Sequence, residues 1–300
     1  MRDTASLFVD CRCQLGEGIV WWARHRALLW TDIESSRLWA HDAAGTRTWT
    51  LPARLASLAP CASGALLLGL ETGLYRAEID LASTASPSLE SLVPLREVEP
   101  DLPATRINDG RTDRSGNFVF GTMNQAEGHS PLGSFYQWSA RHGLRRLDLP
   151  RVGIANSICF SPDGRTMYFC DSPVRRIMSC AYDADQAAVS DIQPFASLGP
   201  LDGQPDGSIV DADGHLWNAA WGAGLVRRYR PDGALDREVA VPAKNPTCVV
   251  FGGPALNELY ITAARQEMSD EELIRMPEVG GVYRVAIKNV RGLPDRLFAD

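Results

Sequence analysis

Three hundred residues would suggest about two domains by length alone, yet closed all-β folds often reach that size as one. An apolar fraction of 45% and a charged fraction of 22% supply ample material for a packed core and exclude a disordered chain. A formal net charge of −7 with no basic block argues against nucleic acid, which needs a positive face to displace counterions, and disfavours an anionic membrane surface.

The N-terminal stretch Met1 to Asp10 has no apolar run long enough for a signal peptide, and no later segment could span a bilayer, so the expected location is cytoplasmic. Seven cysteines lie scattered at 11, 13, 61, 159, 170, 180 and 248, several inside apparent strands, as reduced structural thiols would. The closest pair, Cys11-Arg12-Cys13, is spaced too tightly for the usual CxxC redox or zinc motif.

Short strands separated by turn residues then follow one another. Val20-Trp21-Trp22 and Ala27 to Ile33 read as a hairpin around His25, which Arg37 to His41 and Thr46 to Trp49 extend to four strands. Leu55 to Pro60, Ala65 to Leu70 and Gly73 to Ala77 start a second set, and the pattern begins again at Asn108, Asn156, Asp206 and Pro246. Turns near His25, Gly64, Gly116, Gly164, Gly214 and Gly253 recur roughly every 40 to 50 residues, the length of a four-stranded propeller blade. The expected fold is therefore all-β: a single domain over residues 1–300, with six four-stranded antiparallel blades around a central channel. Ser-Pro-Asp-Gly (161–164), Asp-Ala-Asp-Gly (211–214) and Arg-Pro-Asp-Gly (230–233) are hairpin turns that carry structure, because Asp-Gly tolerates positive φ.

Helical periodicity is nearly absent. The exception is Ser269 to Met276, where Ser269 and Glu272 have capping-box spacing and Pro277 stops the turn. Gly280 to Val285 and Arg296-Leu297-Phe298 are expected as late strands. Leu7-Phe8-Val9 is the natural N-terminal segment to close the ring.

Polar residues crowd the loops that precede the first strand of each set. Glu17 lies between two glycines, Asn108 follows Arg106, Asn156 precedes Ser157, and Asp206 sits in Pro205-Asp206-Gly207. Each alone has an ordinary structural reading: Glu17 as a solvated turn carboxylate, Arg106 as a surface ion-pair partner. In a propeller, however, these loops meet at one end of the channel, so Glu17, Asn108, Asn156 and Asp206 can converge. Two carboxylates and an amide oxygen are hard ligands for a divalent cation. The five histidines lie apart, and a nucleophile elbow or Gly-rich phosphate loop is missing.

Leu15-Gly16-Glu17-Gly18, Arg106-x-Asn108-Asp109-Gly110 with Gly121-Thr122-Met123, Pro205-Asp206-Gly207 followed by Asp213-Gly214-x-Leu216-Trp217, Phe251-Gly252-Gly253 and Gly280-Gly281-Val282-Tyr283 come in the order found in the regucalcin/gluconolactonase family of six-bladed propellers. The chain resembles that family from about residue 8 to 288. The resemblance implies metal ligands at Glu17, Asn156 and Asp206, and substrate-binding groups at Arg106 and Asn108. It departs at Ser157, where the family has glycine and a different local turn is expected. It departs again at Glu127, to which the resemblance assigns a substrate contact although it stands one place late for the glutamate that makes this contact in some members.

The implied activity is hydrolysis of a small-molecule sugar lactone to its aldonic acid. One divalent cation (calcium, manganese, magnesium, zinc or ferrous iron) would polarise the carbonyl, and Asp206 would also act as general base. A calcium-binding propeller without turnover and a metal-dependent esterase are the alternatives. No obligate protein partner is evident from the sequence.

Overall fold

The computed structural model describes residues 3–83 and 91–300. Six antiparallel sheets follow one another along the chain in simple up-and-down order. Their first strands are Gly16–Trp22, Leu55–Pro60, Thr105–Thr112, Ala155–Phe160, Gln204–Val210 and Asn245–Gly252. Each first strand packs beside the next, and the sixth packs beside the first, so they form the inner ring of a six-bladed propeller. We number the blades 1 to 6 in that order.

Burial explains the sequence pattern. Inner and second strands are sandwiched between neighbouring blades and lose their alternation: all six residues of Ala27–Asp32 and all seven of Phe118–Asn124 are buried. Such doubly covered strands read as continuous apolar runs. Outer strands such as Gly45–Thr50 keep one wet face and remain polar. The core lies between blades, with Trp30, Trp217, Phe251 and Tyr283 in one cluster and Phe118, Phe120 and Ile107 in another.

The ring closes as expected. Ser6–Val9 pairs antiparallel with Val282–Ala286 and becomes the outer strand of blade 6, while Asp3–Thr4 adds a parallel fifth strand to blade 5. The six turns cited above all join an inner strand to its neighbour, and Gly64, Gly116, Gly164, Gly214 and Gly253 take positive φ. The helix is also present: it spans Asp270–Arg275, with both halves of the Ser269/Glu272 capping box formed.

Two expectations change. Arg296 to Phe298 is not a strand of any sheet; Phe298 makes a single parallel bridge with Cys61. Instead the C-terminal residues run across the hairpin turns: Gly292 N donates to Leu256 O, Ala212 N to Arg291 O, Ala62 N to Phe298 O and Ala299 N to Gly116 O. Asp295 pairs there with Arg111 of blade 3 at 3.2 Å. The second change concerns the polar residues. They lie inside the inner strands, not in loops before them, and every inner strand breaks register near its start: between Glu17 and Val20, Leu55 and Ser57, Ile107 and Gly110, Asn156 and Cys159, Pro205 and Ser208, and Pro246 and Val249. A bulge kinks a strand and re-aims its side chains. Six bulges at one level of the ring form a collar around the channel, at the end opposite the C-terminal residues.

Candidate active site at one mouth of the channel

Glu17 and Asn156 are the last paired residues before their bulges, whereas Asn108 and Asp206 lie within theirs. The equivalent bulges of blades 2 and 6 hold Ala56 and Thr247-Cys248. The carboxyl and amide side chains of the collar therefore come from blades 1, 3, 4 and 5.

A chain of hydrogen bonds crosses three of those blades. Arg106 Nη1 donates to Asn108 Oδ1 at 2.8 Å, and Asn108 Nδ2 donates to Asn156 Oδ1 at 3.1 Å and to Ala155 O at 3.0 Å. Asn156 Nδ2 then donates to Ser172 Oγ at 2.9 Å, and Ser172 Oγ to Pro205 O at 2.7 Å. Because the Asn156 nitrogen is committed to Ser172, the orientation of its amide is fixed. Its oxygen accepts only one of these bonds and keeps a lone pair for a ligand.

On the other side of the collar, the Glu17 and Asp206 carboxyl groups lie close enough to interact electrostatically. Asp206 is buried and Glu17 half-buried. Burial and the nearby Asp109 carboxylate push Glu17 up to about 8. Burial followed by repulsion from Glu17 holds Asp206 well above the usual carboxylate range, and burial raises Asp109 as well. Arg106 is itself buried, which lowers its guanidinium to about 10. These three acids face Arg106 and Arg111, and Arg111 is also paired with Asp295, so negative charge stays uncompensated unless a proton or a cation joins them.

The residues fit a divalent cation. Among the described residues no three His, Cys, Asp or Glu side chains are grouped to hold a metal, so an ion between Glu17 and Asp206 needs a third donor of another type. The oriented Asn156 oxygen is a candidate for that donor, and all three are hard oxygens.

Ser157 bears on the ligands at both sides. Its φ is +61°, matching Gly18 at +56° beside Glu17. The serine therefore takes the left-handed backbone conformation that favours glycine, as Gly18 does beside Glu17. Ser157 Oγ donates to Asp206 O at 2.6 Å, and Asn218 Nδ2 donates to the same carbonyl at 2.9 Å. At Gly207 a Cβ would fall 2.6 Å from Cys248 Sγ, so only glycine fits after Asp206.

Five of the six residues singled out from sequence thus come together: Glu17, Arg106, Asn108, Asn156 and Asp206. Glu127 is exposed in the loop after Phe118–Asn124, and no hydrogen bond or ion pair joins it to the collar. Its neighbour Gln125 accepts a hydrogen bond from Arg54, which also pairs with Glu71. Sequence reasoning gave no role to Asp109, whose Oδ2 accepts from Ile158 N at 2.9 Å. The signal available was its place beside Asn108 in the Arg-x-Asn-Asp-Gly motif. Ser172 and Asn218, which brace Asn156 and Asp206, carried no such mark.

Residues 15–265 match the model of the SMP-30/gluconolactonase/LRE-like region. The chain belongs to this family. It is 47% identical to L-arabinolactonase of Azospirillum brasilense over 98% of the chain and 95% of that protein. Human regucalcin is 30% identical over 98% of the chain and 99% of its own length. In structure, the calcium-binding protein regucalcin of Agrobacterium tumefaciens superposes with a TM-score of 0.90 at 31% identity, covering 100% of this chain and 99% of that one. The family match begins at Leu15, two residues before Glu17.

Proposed function

We propose that this chain is a sugar lactone hydrolase whose preferred substrate is a pentonolactone of the L-arabinono type. The observation that carries the reading is the collar itself. An acid pair and an oriented amide oxygen stand beside a buried Arg106–Asn108 clamp, in a chain 47% identical over 98% of its length to L-arabinolactonase.

Glu17, Asn156 and Asp206 would hold one divalent cation, which when bound supplies Lewis-acid polarisation of the lactone carbonyl and neutralises the acid pair. The chain's own groups supply the rest. Arg106 offers planar donors to the sugar oxygens. Its buried environment strengthens those bonds, since little water competes for them. The hydrogen bond from Arg106 and the two bonds made by Asn108 Nδ2 pre-set the clamp before substrate arrives. Asp206, whose proton affinity is raised by burial and by Glu17, accepts a proton from the attacking water at a carboxylate oxygen. No residue need become covalently attached.

The test is a pH-indicator assay with L-arabinono-, D-xylono- and D-gluconolactone, on chelated protein and after addition of calcium, manganese, magnesium, zinc or ferrous iron. The expected result is fastest turnover of the L-arabinono substrate, lost on chelation and restored by at least one metal. Turnover of none of the lactones with any metal would leave a cation-binding propeller without catalysis.

A further inference from the structure

The segment linking the closing strand Ser6–Val9 to the inner strand of blade 1 carries Cys11-Arg12-Cys13. Arg12 holds φ at +48°, a conformation that costs energy for any residue with a side chain. The fold enforces it: Cys13 N donates to Gly280 O at 2.8 Å and Arg265 N to Cys13 O at 3.2 Å. Gly280 itself sits so close that a Cβ there would fall 2.5 Å from Cys13 O and 2.9 Å from Arg12 C. The bend brings the two sulfurs to 3.5 Å, with the Cys13 thiol donating to Cys11 Sγ.

Those two sulfurs differ in exposure. Cys13 is buried, Cys11 is partly exposed, and the other five thiols are buried. We propose that Cys11 and Cys13 form a reactive dithiol, a modification site at the ring closure that hydrogen peroxide converts to a disulfide. The Cys11 thiolate attacks the peroxide, the O–O bond breaks, and Cys11 becomes a sulfenic acid while water leaves. Cys13 sulfur then attacks the Cys11 sulfur, the S–O bond breaks, and a second water leaves as the disulfide forms. Two thiols and one peroxide thus give one disulfide and two waters.

Reactivity follows thiolate character and access. The hydrogen bond from Cys13 lowers Cys11, while burial raises Cys61, Cys159, Cys170, Cys180 and Cys248. In the resting thiol form Cys11 Sγ donates to Gly280 O at 3.3 Å, a contact that deprotonation gives up. The disulfide would close a loop of only three residues and so constrain the unfolded chain little. A modification site, not a structural staple, is what this spacing suits.

The experiment treats the reduced full-length protein with hydrogen peroxide, quenches with an alkylating reagent, and reads intact mass and peptide maps over time. The expected result is loss of two hydrogen atoms, confined to the peptide holding Cys11 and Cys13, at a rate at least about tenfold above that of any other thiol. In Cys13→Ser, Cys11 should stop at a sulfenic acid that a cyclic dione traps. In Cys11→Ser, Cys13 should stay reduced on the same timescale. If either variant fails to fold, the parent time course decides alone. Oxidation of Cys11 no faster than the five buried thiols, or its passage to sulfinic acid with Cys13 still free, overturns the proposal.

Discussion

Ser157 occupies a glycine conformation and is held there by the bonds it makes. Its φ of +61° carries strain, and the compensation is the bond from Ser157 Oγ to Asp206 O together with the one that Asn218 Nδ2 donates to Ser157 Oγ at 3.2 Å. Ser157→Ala keeps the strained Cβ and removes the bond, so it should cost about 1–3 kcal/mol. Ser157→Gly also loses the bond but relaxes φ, and should cost clearly less; urea unfolding of both variants checks the order. Asp206 is tested differently, because it has two proposed duties. Asp206→Asn keeps a ligating oxygen but removes the basic carboxylate. If Asp206 is the general base, kcat should fall roughly 10²–10⁴-fold even at saturating metal. Recovery of full kcat at high metal, with metal content measured on the same samples, would leave it a ligand only.

Between the residue and the ring, the recurring elements are the bulged inner strand and the Asp-anchored turn. Asp113 Oδ1 accepts from Ser115 N and Asn117 N at 2.8 and 2.9 Å, and Asp211 Oδ1 repeats this with Asp213 N and His215 N at 3.0 and 2.9 Å. These turns are local, so their glycines and aspartates could be read directly from sequence. The bulges could not, because a register shift is a relation between two strands. The same holds for Gly280-Gly281, whose need for glycine comes from the N-terminal segment: a Cβ at Gly281 would meet Leu7 Cδ1 at 2.5 Å and Val9 O at 2.8 Å. Gly280→Ala adds a Cβ at φ +85° and against Cys13 O. The expected loss is about 1–3 kcal/mol, read by chemical denaturation. An unchanged midpoint would mean that the closing segment gives way easily.

At the scale of the whole molecule, charge is distributed along the channel. The Glu17–Asp206 pair and Arg106 lie at one mouth, and Asp295 neutralises Arg111 towards the C-terminal end. Glu17 is raised from 4.5 to about 8, so in metal-free protein its protonated form is the one the fold favours. A raised folded-state value means the associated stability is complete below about 4.5 and is lost as pH rises through about 8. Chelated protein should therefore lose thermal stability across that window, and Glu17→Gln should flatten the slope by removing the titrating group. Saturating metal should reverse the loss in the parent, since the cation takes the place of the proton. Equal slopes for the chelated parent and Glu17→Gln would refute the assignment. Because the N-terminal strand Ser6–Val9 completes the last blade, we also take the chain as one domain. Its chelated form should then unfold in a single transition.

The amino-acid sequence by itself determined what depends on near neighbours: the six hairpin turns, five of them marked by glycine, the apolar runs of strands covered on both faces, and the Ser269/Glu272 helix cap. Its resemblance to a known family picked out Glu17, Arg106, Asn108, Asn156 and Asp206, but not how they meet. Tertiary structure alone decided that Glu17 and Asp206, 189 positions apart, bring their carboxyl groups together, and that Ser157 can stand where glycine is expected because buried partners hold it. It also sent the last residues across the turns instead of into a sheet, and pressed Gly280 against the Cys11-Arg12-Cys13 bend. The physical reason is common to all four. Each is a contact between segments far apart in the chain, created only when six blades close into a ring and bring their inner strands within reach of one another.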